Sequence, residues 1–340
     1  MRLLVIGGTV FLGRHIVAAA VAAGHQVTTL NRGTNDLEDQ AHIERLFADR
    51  ELDLSVLSGR VFDVVIDTCG YHPDTVRKSV SALSGSAFTY VFISTISVYG
   101  DFTTIGINEE HPIQYTPPGE QGNYGSLKAD CEAVVTELMP ANSLIIRPGL
   151  IAGPHDPTDR ITYWPARFAR GERIAVPARL ERLVQFIDAR DLALFIVRLA
   201  SEHARGVYIA TGPEERLTLE NFFDSCEIAA GVSAELVRVD DAVFEKAGVE
   251  PWSELPLWIP AWKKDFDGVM RMDKTKAFAA GLTCRSTTST LRDILAWDRT
   301  RDPQAPRKAG LSPEKEAKVL RQPKRDLQPG KGPLPGAGLR

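Results

Sequence analysis

Tyr124 and Lys128 stand four residues apart, the spacing that sets two side chains on one face of a helix with Cβ atoms about 5–6 Å apart. A phenol with an ordinary pKa near ~10 is a poor base at neutral pH. An ammonium beside it stabilises the phenolate and draws that pKa down, so the pair reads as a proton shuttle. Chance Tyr/Lys pairs on exposed helices are common, and it is the company of this pair that gives it weight. About thirty residues upstream, Ile93-Ser94-Thr95-Ile96-Ser97-Val98-Tyr99-Gly100 places three hydroxyls at the end of an apolar strand, where parallel sheets bind their ligands. Turn-forming hydrogen bonds to the backbone account for two of the three, which leaves one to hold a substrate oxygen.

A second constellation opens the chain. Gly7-Gly8-Thr9-Val10-Phe11-Leu12-Gly13 follows an apolar strand and leads into a helix. Glycines there permit a tight turn, and the helix start offers free N–H groups and positive dipole to a pyrophosphate. Nineteen residues after Gly13, where an NAD-selective site carries an acid for the ribose 2′-hydroxyl, the chain has Asn31-Arg32. A guanidinium matches a phosphate with paired hydrogen bonds, so Arg32 favours NADP, with NAD as the alternative.

The elements that must position these groups follow from the apolar periodicity. Strands are expected at 2–6, 26–30, 62–67, 90–93 and 144–146, and helices at 12–23, 74–83 and 124 to about 138. This alternation is the βαβ unit of a parallel sheet. Residues 184–187, the helix 191–199 and 207–210 read as a return to that sheet. The expectation is an α/β, doubly wound parallel sheet formed by residues 1–150 and 183–210. A smaller substrate or lid domain is expected from 151–182 and 211–300, which hold all five tryptophans. Residues 301–340 read as a basic tail, with a helix over 312–321 capped by Ser312 ahead of Pro313 and a disordered Gly/Pro-rich end.

Composition excludes several classes. The chain of 340 residues, 44% hydrophobic and 25% charged, can bury a sizeable core. Its four cysteines, Cys69, Cys131, Cys226 and Cys284, form no Cys-x-x-Cys pair, so they read as reduced and no metal site is expected. The first apolar run is too short for a signal peptide or a membrane span, so the expectation is a cytoplasmic protein without membrane contact. The net charge of −4 combines an acidic body with a basic end. That body argues against a nucleic-acid face and for a small-molecule ligand.

Glycine turn, hydroxyl-rich strand end before Val-Tyr-Gly and Tyr-x-x-x-Lys, in that order, resemble the extended short-chain dehydrogenase/reductases, the NAD(P)-dependent epimerase/dehydratase family, over about residues 1–300. Within it the chain is most similar to the atypical bacterial branch. The marks are Gly-Gly-Thr-Val-Phe-Leu-Gly, Asn-Arg-Gly at 31–33, Gly-Pro-His-Asp-Pro-Thr-Asp at 153–159 and Gln-Phe-Ile-Asp-Ala-Arg-Asp at 185–191. The resemblance implies a Rossmann-type fold with a smaller C-terminal substrate domain. It also implies Thr95 as the catalytic hydroxyl with Ser94 as its neighbour, Tyr124 as acid/base, and Lys128 on the nicotinamide ribose. Asp49 would accept from the adenine amino group, the Pro148 to Ile151 backbone would lie beside the nicotinamide amide, and a homodimer would form through the Tyr124 helix.

Departures from the family pattern shape the expectation. Val10 replaces the middle glycine of the turn, so its side chain must point away from the pyrophosphate. Leu150 and Val184 stand where enzymes of nucleotide sugars carry Asn and Arg, with Arg182 near enough to compensate, and Asp67 occupies a strand end where other members differ. Substrate candidates are Ser94, His155, Tyr163, Trp164 and Gln185. For His155 a structural hydrogen bond competes with that role, and the Trp252 to Trp262 segment reads as lid or core, with core favoured. The expected function is hydride transfer between nicotinamide C4 and a carbonyl or carbinol carbon of a small or secondary metabolite. A nucleotide-sugar epimerase or dehydratase is the alternative within the class. A non-catalytic NADP-binding regulator or RNA-associated protein is the rival from another class.

Overall fold

The computed structural model describes residues 1–35 and 43–321. The first half alternates β1 (Arg2–Ile6), α1 (Phe11–Ala22), β2 (Gln26–Asn31), β3 (Glu44–Phe47), β4 (Phe62–Asp67), α2 (Pro73–Leu83), β5 (Ala87–Ile93), α3 (Tyr124–Leu138) and β6 (Ser143–Pro148). The second half contains β7 (Leu150–Ala152), α4 (Tyr163–Phe168), β8 (Arg173–Pro177), β9 (Phe186–Asp188), α5 (Ala189–Ser201), β10 (Gly206–Ala210), α6 (Leu219–Ala230), β11 (Glu235–Val239), α7 (Asp241–Lys246), α8 (Thr275–Ala279), α9 (Thr287–Asp298) and α10 (Pro313–Leu320).

Seven parallel strands form the main sheet in the order β10-β6-β5-β4-β1-β2-β3. The central strands are continuous apolar runs because helices cover both faces. Leu3, Val5, Val64, Ile66 and Val91 pack under α1 and α5, while Leu4, Ile6, Val65, Tyr90 and Phe92 pack under α2 and α3. Strand order reverses between β1 and β4, and ligands of such sheets bind beyond the carboxyl ends of the strands at that switch point.

Two expectations change here, and a third is met. Residues 184–187 do not return to the main sheet: β9 pairs with β7 in a separate two-stranded parallel sheet, and the backbone around it is taken up by Leu217 and Gly212 carbonyls. Residues 275–284 lie within the span assigned to the second domain, yet Ala277, Leu282 and Cys284 pack into the core of the first. The helix expected over 312–321 is present as α10, and it packs on the second core. Leu311 and Val319 are buried in the second core, and Ser312 caps α10 by accepting from Lys315 N at 3.2 Å. The rest of the expected tail lies outside the described residues. The second core is built from Trp164, Phe168, Phe222, Phe223, Phe244 and Trp258 around the parallel pair β8–β11. Among the described residues no helix is long and apolar enough to cross a membrane.

Candidate active site

The glycine turn wraps the end of β1. Gly7 and Gly8 adopt φ values of 100° and 87°, which only glycine takes without strain. A Cβ on Gly13 would stand 2.7 Å from Gly8 N, so the helix approaches the turn as closely as backbone permits. Val10 is the N-cap of α1, extended at φ −124°, and no side chain caps the helix. Its own side chain is 50% exposed, as the close approach of a diphosphate requires, and the N–H groups of the turn through Thr9, Phe11 and Leu12 remain the available cradle.

At the end of β2, Asn31 Oδ1 accepts from Gly33 N at 2.9 Å, while its Nδ2 is buried with no partner among the described residues. An orphaned buried donor costs stability unless a ligand satisfies it, and this one belongs to the last residue of β2. Arg32 is exposed. Asp49 uses Oδ1 to accept from Glu51 N at 2.9 Å. Pro148 closes β6, and Ile151 pairs with Ile187 across β7–β9, so this segment leaves the same sheet edge as the hydroxyl cluster. These residues fit a dinucleotide: a glycine cradle, an orphaned donor and a cation.

Thr95, Tyr124 and Lys128 converge at the ends of β5 and α3. Thr95 caps the short helical turn 96–99, accepting from Ser97 N at 3.1 Å, and its hydroxyl is near enough to stabilise the Tyr124 phenolate. α3 begins at Tyr124 because Asn123 caps it: Asn123 Oδ1 accepts from Ser126 N and Ser126 Oγ from Asn123 N, both at 3.0 Å. Gly125 lets that helix start press on the turn, since a Cβ there would lie 2.2 Å from Ser97 O. Tyr124 is 54% exposed.

The coupling expected from the four-residue spacing is not the one found. Lys128 is buried, and its Nζ donates to Gly70 O at 2.8 Å and Ile93 O at 2.6 Å, 4.1 Å from the centre of the Phe92 ring. Burial depresses its pKa to about 8, against the attraction of Asp67. Partial burial raises the Tyr124 phenol above its ordinary value, against the pull of Thr95 and then of Arg160. Arg160, on the loop before α4, adds a smaller pull toward the phenolate, and with its pKa raised the resting tyrosine is a protonated donor. The two side chains share a helix face, but the lysine stem carries its charge down into the sheet edge.

The substrate candidates separate in the structure. Ser94 is buried and donates to Glu132 Oε1, which also pairs with Arg147 at 2.6 Å, and Arg147 reaches Tyr99 OH at 3.0 Å. This interior network removes Ser94 from a substrate role. Trp164 is fully buried with Nε1 donating to Pro256 O at 3.0 Å, and Tyr163 packs against it, so both belong to the second core. Gln185 ties down another loop, donating from Nε2 to Met272 O at 3.1 Å and accepting from Met272 N at 2.9 Å. The His155 ring packs at a tilt against His15, with centroids 6.1 Å apart, and against Trp297 at 5.5 Å, and His15 Nε2 donates to Pro154 O at 3.0 Å. Trp258 is core, whereas Trp262 is 47% exposed.

Arg182, the suggested compensating cation, donates to Ile259 O at 2.7 Å and pairs with Asp267 at 2.9 Å. Val184 is buried. Sequence reasoning missed the ligands of Asp67. Arg50 forms a bidentate pair with it at 2.8 and 2.7 Å, and Tyr90 OH donates to it at 2.9 Å. Burial opposes the Asp67 charge, but Arg50 outweighs it and holds the carboxyl below its usual range. An Asp ending an apolar strand was the only visible sign.

The model of the NAD dependent epimerase/dehydratase family matches residues 3–209. The chain is 24% identical over 294 residues to the chloroplast stem-loop binding protein of 41 kDa b of Arabidopsis thaliana, covering 78% of this chain and 76% of that protein. It is 27% identical over 171 residues to the UDP-glucose 4-epimerase of Neisseria meningitidis serogroup B, covering 42% of this chain and only 49% of the epimerase. The UDP-glucuronic acid 4-epimerase of Bacillus cereus, solved in complex with NAD, shares the fold with a TM-score of 0.64 at 16% identity, over 88% of this chain and 99% of that one.

Proposed function

The chain belongs to the NAD dependent epimerase/dehydratase family, and on that premise we propose that it is an oxidoreductase or epimerase acting at a carbinol or ketone carbon, with Tyr124 moving the proton. The observation that carries this reading is the packing of the start of α3, with Tyr124 exposed and Lys128 buried on the Ile93 carbonyl, against the Thr95–Ser97 turn that ends β5. The turn from Gly7 to Gly13, Asn31, Arg32, Asp49, Lys128, Pro148 and Ile151 would hold a nicotinamide dinucleotide, which supplies hydride transfer at C4 when bound. Thr95 orients the reacting oxygen. Tyr124, protonated at rest, gives its proton to a ketone oxygen in reduction and recovers it in oxidation. Lys128 holds the ribose and keeps a positive charge beneath the site. Arg32, exposed at the end of β2, supports NADP over the NAD held by the Bacillus cereus enzyme.

Engagement of Arg182 and burial of Val184 support a substrate smaller than a nucleotide sugar. The names of the two epimerases favour a nucleotide sugar as the second reading. The test is turnover of a panel containing small ketones, UDP-glucose and UDP-glucuronic acid, with NADP and NAD in both redox states, by wild type and Tyr124→Phe. Turnover by wild type that falls about 100-fold in the variant is expected. Consumed cofactor marks a reductase, and an epimeric product without consumption marks an epimerase. Equal rates in both proteins contradict the role of Tyr124. No turnover, together with binding of an RNA stem-loop, would replace the enzymatic reading with the non-catalytic one.

A further inference from the structure

Asp67-Thr68-Cys69-Gly70-Tyr71 leaves β4 across the switch point from the glycine turn and runs along the candidate cofactor site. Thr68 Oγ1 and Cys69 Sγ stand 2.3 and 3.6 Å from where a Cβ on Gly7 would project, so the segment begins against the pyrophosphate cradle. Gly70 follows, its carbonyl accepting from Lys128. A Cβ there would meet Phe92 at 2.6 Å and Val76 at 2.7 Å, so only glycine lets the chain pass this close to the sheet edge. Tyr71 comes next, with its ring centre 5.6 Å from Lys128 Nζ. Burial, and after it the neighbouring Tyr124 phenol, oppose ionisation of its own phenol. The ring is nevertheless 54% exposed, and its hydroxyl makes no hydrogen bond to the described residues. The segment therefore traces a path from the pyrophosphate cradle to the proton donor, and an uncovered aromatic ring stands at its far end.

Resting on the nicotinamide reading above, we propose that Tyr71 binds the nicotinamide half of the cofactor, its ring packing on the nicotinamide riboside and, with Phe92, enclosing the ammonium of Lys128. The adenosine half would be held instead by the turn and the end of β2. Covering the exposed part of an aromatic ring contributes enough for roughly a tenfold effect on affinity.

The experiment compares wild type, Tyr71→Phe and Tyr71→Ala by fluorescence titration with NADPH and NADH, and by competition with ADP and its 2′-phosphorylated form, which lack the nicotinamide riboside. Melting curves check that the variants fold, as expected for so exposed a side chain. The proposal predicts that Tyr71→Ala weakens the tighter-binding dinucleotide about tenfold, leaves the adenosine phosphates within about twofold, and that Tyr71→Phe restores dinucleotide affinity. Unchanged dinucleotide affinity in Tyr71→Ala overturns it, as does an equal loss for the adenosine phosphates, which would mean that the loop merely shapes the turn. If wild type binds neither dinucleotide, the nicotinamide reading itself fails and this inference with it.

Discussion

At the scale of single residues, the placement of Lys128 carries a cost. Its pKa falls from 10.5 to about 8 on burial, so between those values the unfolded chain binds more protons than the folded one and stability rises with pH. Below about pH 8 the full cost is present, about 3 kcal/mol, which the site tolerates in order to keep a cation at the sheet edge. Urea melts at pH 7 and pH 9.5 should show wild type gaining stability relative to Lys128→Met; parallel pH dependence in both would contradict a buried, charged lysine. The helix face shared by Tyr124 and Lys128 was legible from their spacing. The destination of the ammonium was not, because its acceptors Gly70 and Ile93 lie 58 and 35 residues away. Ser94 and Thr95 illustrate the same limit. Adjacent hydroxyls at a strand end point to different sides, and only the position of Glu132 reveals that Ser94 is the one turned inward.

At the scale of elements, the entry into α1 decides whether a cofactor can approach. Gly13→Ala would drive a methyl to 2.7 Å from Gly8 N, where the neighbour is backbone and cannot swing aside. Overpacking of this kind costs about 1–3 kcal/mol. Thermal melting should therefore show a clear drop for this variant, and an unchanged midpoint would mean that the turn is looser than described. The strands and helices around this turn were readable because buried parallel strands are unbroken apolar runs punctuated by glycine. The pairings of β7 with β9, at three residues each, and of β8 with β11 were not. Such short pieces carry too few alternations to fix a pairing, and their partners come from distant sequence.

At the scale of the whole molecule, the second core is completed from the C-terminal side. Arg167 Nε pairs with Glu316 at 2.7 Å with both side chains 6% exposed, and Glu316 also accepts from Ala175 N at 3.2 Å. Removing one partner of a buried pair costs about 3–5 kcal/mol, so Glu316→Ala should be strongly destabilised in urea melts, and wild-type stability would show that α10 is peripheral. The helix over 312–321 was legible in the sequence, but the packing of the basic stretch was not, because the acids it pairs with, Asp159, Asp298 and Glu254, are remote in the chain or belong to other elements. The central claim, that the two halves of the first domain enclose a working nicotinamide site, is tested most directly by fluorescence titration of wild type and Arg32→Ala with NADPH and NADH at fixed ionic strength. Saturable binding of NADPH, weakened about tenfold in Arg32→Ala, is the predicted result. Preference for NADH would reassign Arg32, and absence of binding to either dinucleotide would contradict the account.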